Sequence, residues 1–113
     1  MSSKAKGTRD ALKIIDKLFF EGHPKRIAAL QVEILNAHVA HEVYHLRTNA
    51  GLTQRRLAEK VGTTASVICR LEDADYDGHS LSMLQRIAFA LGQRVEVKFK
   101  PLPRKYRRPQ RPS

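Results

Sequence analysis

Three short apolar-periodic segments follow one another over residues 53–92, each opened by a hydroxyl side chain. Thr53 precedes Gln54–Val61, Thr63 precedes a segment from Thr64 to about Glu72, and Ser80 precedes Leu81–Leu91. Gly62 and Gly92 close the first and third. A Ser or Thr in that place accepts a hydrogen bond from an orphan N–H of the first helical turn, and a Gly just past the end takes φ > 0 at little cost. Helices this short are marginal alone, so they must bury their apolar faces on one another. The spacing therefore predicts a compact helical unit in which turns, not long connections, set the geometry.

Two further helices are expected upstream. Thr8 can cap a helix from about Arg9 to Phe20, with Leu12, Ile15, Leu18 and Phe19 on one face. Gly22, His23 and Pro24 break it, and Pro24 suits the first position of the next helix. From about Lys25 to Ala50, Ala28, Val32, Leu35, Val39, Val43, Leu46 and Ala50 recur by three and four, and Gly51 ends the pattern. Leu30, Ile34, Ala37 and Tyr44 form a second stripe on the back of that helix. The N-terminal helix, a second protomer or another protein could cover it.

The period changes after Gly92. Val95, Val97 and Phe99 alternate with Glu96, Lys98 and Lys100, which predicts a half-buried strand over Arg94–Lys100 that pairs with a second protomer or a partner. Pro101 and Pro103 end it. The expected fold is mostly α: a five-helix bundle with one C-terminal β-strand. Residues 1–8 read as a disordered N-terminus, 9–36 as a helical extension, 37–92 as the central domain, 93–100 as the strand and 101–113 as a basic flexible tail.

The net charge of +10 raises nucleic acid as a partner. Its distribution sharpens the point. Residues 1–36 hold seven Lys/Arg against four Asp/Glu, residues 37–92 six against six, and residues 93–113 eight against one. The C-terminal arm, with Arg104, Lys105, Arg107, Arg108 and Arg111, is thus a candidate non-specific nucleic-acid contact or a solvated tail. No apolar run approaches the roughly 18 residues of a membrane helix, and no signal-peptide core is evident. The single Cys69 excludes an internal disulfide and suits a cytoplasmic protein. No cofactor is implied.

Within 53–72, small Ala58 permits close approach of two helices, while Leu57, Val61, Ile68 and Leu71 fill the core between them. A plain helical hairpin would satisfy the same spacing. The order of residues resembles the XRE/Cro family, the lambdoid phage repressor type of helix-turn-helix. The stretch Leu46-Arg47, Ala50-Gly51-Leu52-Thr53-Gln54, Leu57-Ala58-Glu59-Lys60-Val61-Gly62-Thr63-Thr64, Ile68, Leu71-Glu72 carries it, followed by Ser80-Leu81, Leu84, Ile87-Ala88 and Ala90-Leu91-Gly92. The flanking helix and strand resemble HigA-type antitoxins more loosely.

The resemblance implies that the helix from Thr64 to Glu72 lies in the major groove. Thr64, Ala65, Ser66 and Arg70 would be its base-reading residues. On a helical wheel Ser66 and Arg70 point away from Ile68 and Leu71, and an outward Arg can bond guanine bidentately. Ala65 departs from the Gln that many relatives carry, so readout would lean on Arg70. Gln54 would contact phosphate at the N-terminus of the preceding helix, with Arg55 and Arg56 adding charge-assisted contacts. In resembling repressors the residues matching Arg47 and Glu72 form a structural ion pair.

His41-Glu42-Val43-Tyr44-His45 matches the H-E-x-x-H pattern of zinc peptidases. Val43 and Leu46 face the expected core, so the two histidines point the other way, and no third ligand stands out. Catalysis is not expected. His38, His41 and His45 are at most surface metal ligands.

The expectation is a sequence-specific DNA-binding regulator acting as a homodimer on an operator, the antitoxin of a type II toxin–antitoxin pair that masks an RNase-type toxin. A stand-alone repressor of phage or chromosomal origin is the nearest alternative. A protein-interaction module without DNA binding is the alternative of another class, and a metallopeptidase is the remotest.

Overall fold

A computed structural model of the chain describes residues 13–102 and residue 104. It is mostly helical. Helix α1 covers residues 13–20 among those described. α2 spans Pro24–Asn49, α3 Gln54–Val61, α4 Ala65–Leu71 and α5 Leu81–Ala90. No described helix is long and apolar enough to cross a membrane.

Local chemistry sets these boundaries. Pro24 opens α2, where its missing N–H is no loss. The Thr53 hydroxyl accepts from the Arg56 N–H at 3.1 Å, and the Ser80 hydroxyl from the Met83 N–H at 3.1 Å. α4 begins one residue later than expected. Its cap is Thr64, whose hydroxyl accepts from the Val67 N–H at 3.3 Å, while Thr63 belongs to the turn. Gly62 takes φ +81°, which bends the chain so that the N–H groups of both Gly62 and Thr63 donate to the Ala58 carbonyl at 2.9 Å.

The core lies where α2, α3, α4 and α5 meet. Val43, Leu57, Ala58, Val61, Ile68, Leu71 and Ile87 are buried, and Leu57 and Ile68 are inaccessible to solvent. Arg86 of α5 donates to the Val61 carbonyl at 2.8 Å, satisfying an acceptor that the end of α3 leaves open. After α4, the Asp75 N–H donates to Asp73 Oδ1 at 2.9 Å, and a His79 ring nitrogen lies 2.7 Å from the Leu71 carbonyl. The polar loop is thereby tied back to the helix it follows.

One expectation about burial needs correction. The apolar stripe of α2 is covered only toward its C-terminal end: Ala40 and Val43 are buried, whereas Ala28, Val32 and Leu35 are exposed. Among the described residues, no element covers this face at Ala28, Val32 and Leu35. Of α1, Ile15 is buried and Phe20 is exposed.

Within the single chain, residues 94–100 form no strand. A strand exists only as part of a ladder, and the described residues hold no second edge for it. Instead the Val95 N–H donates to Gln85 Oε1 of α5 at 3.2 Å. Alternation survives only as sidedness. Arg94 and Lys98 both pair with Glu96, at 3.9 and 3.0 Å. Val95 is half-buried, while Val97 and Phe99 of the expected apolar face are exposed. The expectations for residues 1–8 and for Lys105, Arg107, Arg108 and Arg111 lie outside the described residues; Arg104 is exposed.

Candidate nucleic-acid interface

The outer surface of α4 is set by what its inner surface must do. Ile68 and Leu71 are buried and Val67 is partly so, which turns Ala65, Ser66, Cys69 and Arg70 to solvent. Ser66 and Arg70, four residues apart, share one side of the helix. The Arg70 guanidinium makes no hydrogen bond or ion pair among the described residues. Its five donors are therefore open to an external acceptor. Thr64 is exposed too, but its hydroxyl already caps the helix, which leaves its O–H donor, one lone pair and its methyl for other contacts.

α3 places its polar side chains differently. Arg55 and Arg56 share one acid, Glu59, at 3.6 and 3.9 Å, and both side chains are largely solvated. Pairs of this length and exposure contribute about 0–1 kcal/mol, so either arginine can exchange Glu59 for a phosphate at little cost. Gln54, the first residue of α3, is half-buried, and its Nε2 donates to Glu72 Oε1 at 3.2 Å. One amide hydrogen is thus committed, and the second remains for an anion in front of the helix N-terminus.

Glu72 organises this region. It closes α4 and is almost fully enclosed, with 5% of its side chain exposed. Arg47 of α2 donates to it twice, Nε to Oε2 at 2.6 Å and Nη2 to Oε1 at 2.9 Å. Arg47 Nη1 donates to the Leu52 carbonyl at 2.8 Å, and the guanidinium lies 5.4 Å from the centre of the Tyr44 ring. The hydrogen bond to Glu72 raises the pKa of Arg47 above its already strongly basic ordinary value, against a smaller opposing effect of burial. The Arg47–Glu72 pair therefore ties α2, the α2–α3 connection, the start of α3 and the end of α4 together. The resemblance implied the Arg47–Glu72 pair. The branch to Gln54 and the His79 contact were not anticipated, because no local pattern marks contacts made across 18 and eight residues.

The H-E-x-x-H segment sits on α2 just before Arg47, and Tyr44 within it supplies the ring against the Arg47 guanidinium. His41 is half-buried, His45 is exposed, and their rings meet edge-on with centroids 4.0 Å apart. His38 points its Nε2 toward Glu42 at 4.0 Å. Among the described residues no group of three or more His, Cys, Asp or Glu side chains could hold a metal ion.

Comparison with protein-family models, with curated proteins and with solved structures returned no match.

Proposed function

We propose that this chain is a sequence-specific DNA-binding regulator of the XRE/Cro type, reading its operator through α4 and contacting phosphates through the start of α3. The observation that carries the reading is the outward set of Ser66, Cys69 and Arg70 on a helix whose inner side is locked by Ile68 and Leu71. The Arg70 guanidinium is uncommitted among the described residues, so it can present two parallel donors to guanine O6 and N7. Ala65 and the Thr64 methyl add apolar contact suited to a thymine methyl. Gln54, held by Glu72, and the loosely paired Arg55 and Arg56 supply the phosphate contacts that set register without reading sequence.

In the fuller form of this proposal the regulator is a homodimer. It sits on a palindromic promoter, with α4 of each protomer in major grooves about 34–36 Å apart. It also serves as the antitoxin of an RNase-type toxin, which it masks directly. The cytoplasm is the compartment in which both roles operate. The exposed apolar residues of α1 and α2, including Phe20 and Val32, support a protein partner in addition to DNA.

The decisive experiment is a gel-shift and salt titration of the purified chain on its own upstream DNA, beside affinity purification with mass spectrometry. Specific binding with a steep salt slope, together with a co-purifying small basic RNase, is the expected result. Binding without a co-purifying toxin would leave a stand-alone repressor. A partner without DNA binding would leave an interaction module.

A further inference from the structure

The richest surface outside the candidate DNA interface is an open groove of about 700 Å³ between α2, α5 and the chain that follows α5. Leu35 and Val39 of α2, Leu81 and Leu84 of α5, and Val95 and Val97 of the following segment line it. Buried Val43 and Ile87 also reach it. Leu35, Leu81 and Val97 are each more than half exposed there. Phe99, which follows the groove wall without lining it, is 98% exposed. An almost wholly solvated phenylalanine beside an open apolar groove is a ring and a socket on one molecule.

We propose that this groove is a homodimer interface, in which the Phe99 ring of a second copy seats against Leu35 and Leu81. The occupant is argued from charge. The net charge of +10 lies in residues 1–36 and 93–113, so two copies repel through those regions and not through the balanced residues 37–92. The groove wall carries both signs, with Glu42 and Glu96 balancing Arg94 and Lys98. A two-fold interface must complement itself, and a neutral patch carrying both signs does so. An acidic partner would instead be drawn to the basic C-terminal arm. The flank of Phe99 fits as well, since Lys100 would arrive beside the exposed Glu42 carboxylate. The exchange is reciprocal, so two rings fill two grooves and the assembly closes. It also brings together the two 96–100 segments, whose backbone forms no backbone–backbone hydrogen bond among the described residues.

The inference rests on the dimeric part of the proposed function and not on its DNA-reading part. Sedimentation of the full chain without DNA tests it. The native chain should be dimeric at tens of micromolar. Phe99→Ser and Leu35→Ser, both at exposed positions, should keep native far-UV circular dichroism and raise the dimer dissociation constant at least about thirtyfold, as truncation of a central anchor does. In a Cys69→Ser background, chains bearing Phe99→Cys mixed with chains bearing Leu35→Cys should oxidise to mixed disulfide dimers faster than either chain alone. A monomeric native chain would overturn the proposal, as would dimerisation unaffected by both serine substitutions, or a mixed disulfide forming no faster than the like pairs. A dimer with these properties that binds no DNA supports the interface and counts against DNA reading. A native monomer that still shifts half-site DNA counts against the interface alone.

Discussion

Glu72, which closes α4, receives two hydrogen bonds from Arg47 of α2 at 2.6 and 2.9 Å, across 25 residues of sequence. With 12% of one side chain and 5% of the other exposed, the pair is largely out of water. Its importance lies less in attraction than in the cost of leaving either charge alone.

Arg47→Ala should therefore destabilise the fold by about 3–5 kcal/mol, because Glu72 would be stranded. The double variant Arg47→Met/Glu72→Leu should cost less than the two single variants combined. Urea denaturation measures both. A single-variant cost under about 1 kcal/mol would mean that the pair behaves as a solvated one. The Arg47 pKa is raised, so its share of the stability is complete below its ordinary value and disappears only as pH rises through the raised one. The cost of Arg47→Ala should consequently be the same on the arginine side at about pH 6 and about pH 8.

Gly62 offers a purely conformational test. A Cβ built there meets nothing closer than Arg86 Nη2 at 3.7 Å, so space is available. The φ of +81° is the obstacle. Gly62→Ala should cost about 1–2 kcal/mol, and Gly62→Asn less, because Asn tolerates the left-handed region better. Equal costs in thermal unfolding would point to a clash rather than to backbone strain.

The Arg70 side chain is exposed and makes no hydrogen bond or ion pair among the described residues. Arg70→Ala should leave the melting temperature in place while weakening operator binding by about 1–3 kcal/mol and relaxing the preference at one base pair. If operator and random DNA affinities fall equally, Arg70 contacts phosphate only.

The C-terminal arm should act through charge. Removing residues 104–113 deletes Arg104, Lys105, Arg107, Arg108 and Arg111. For every phosphate that the arm neutralises, the deletion should flatten the salt slope of DNA binding by about 0.9, with little change in sequence preference. An unchanged slope would assign the arm to another partner.

Helix existence and helix ends were legible in the residues themselves. Thr53, Ser80, Pro24 and Gly62 act on neighbours within four positions, so their meaning survives without any knowledge of the fold. The same locality let the wheel of α4 separate Ile68 and Leu71 from Ser66 and Arg70. The one-residue slip between Thr63 and Thr64 arose because adjacent threonines are equally good caps, and only the turn at Gly62 chooses between them.

Tertiary structure decided what the apolar periods cover. Val32 and Leu35 repeat at the same helical spacing as Val43, yet only Val43 meets the bundle, because periodicity defines a face and not the element opposite it. Alternation at 95–99 likewise marks two sides of a chain, but a strand needs a second edge, and the described residues provide none. The hydrogen bonds of Gln54 and His79 belong to the same class. Each joins residues that sequence keeps apart, and each forms because burying Leu57, Ile68 and Leu71 together brings the polar groups around them within reach.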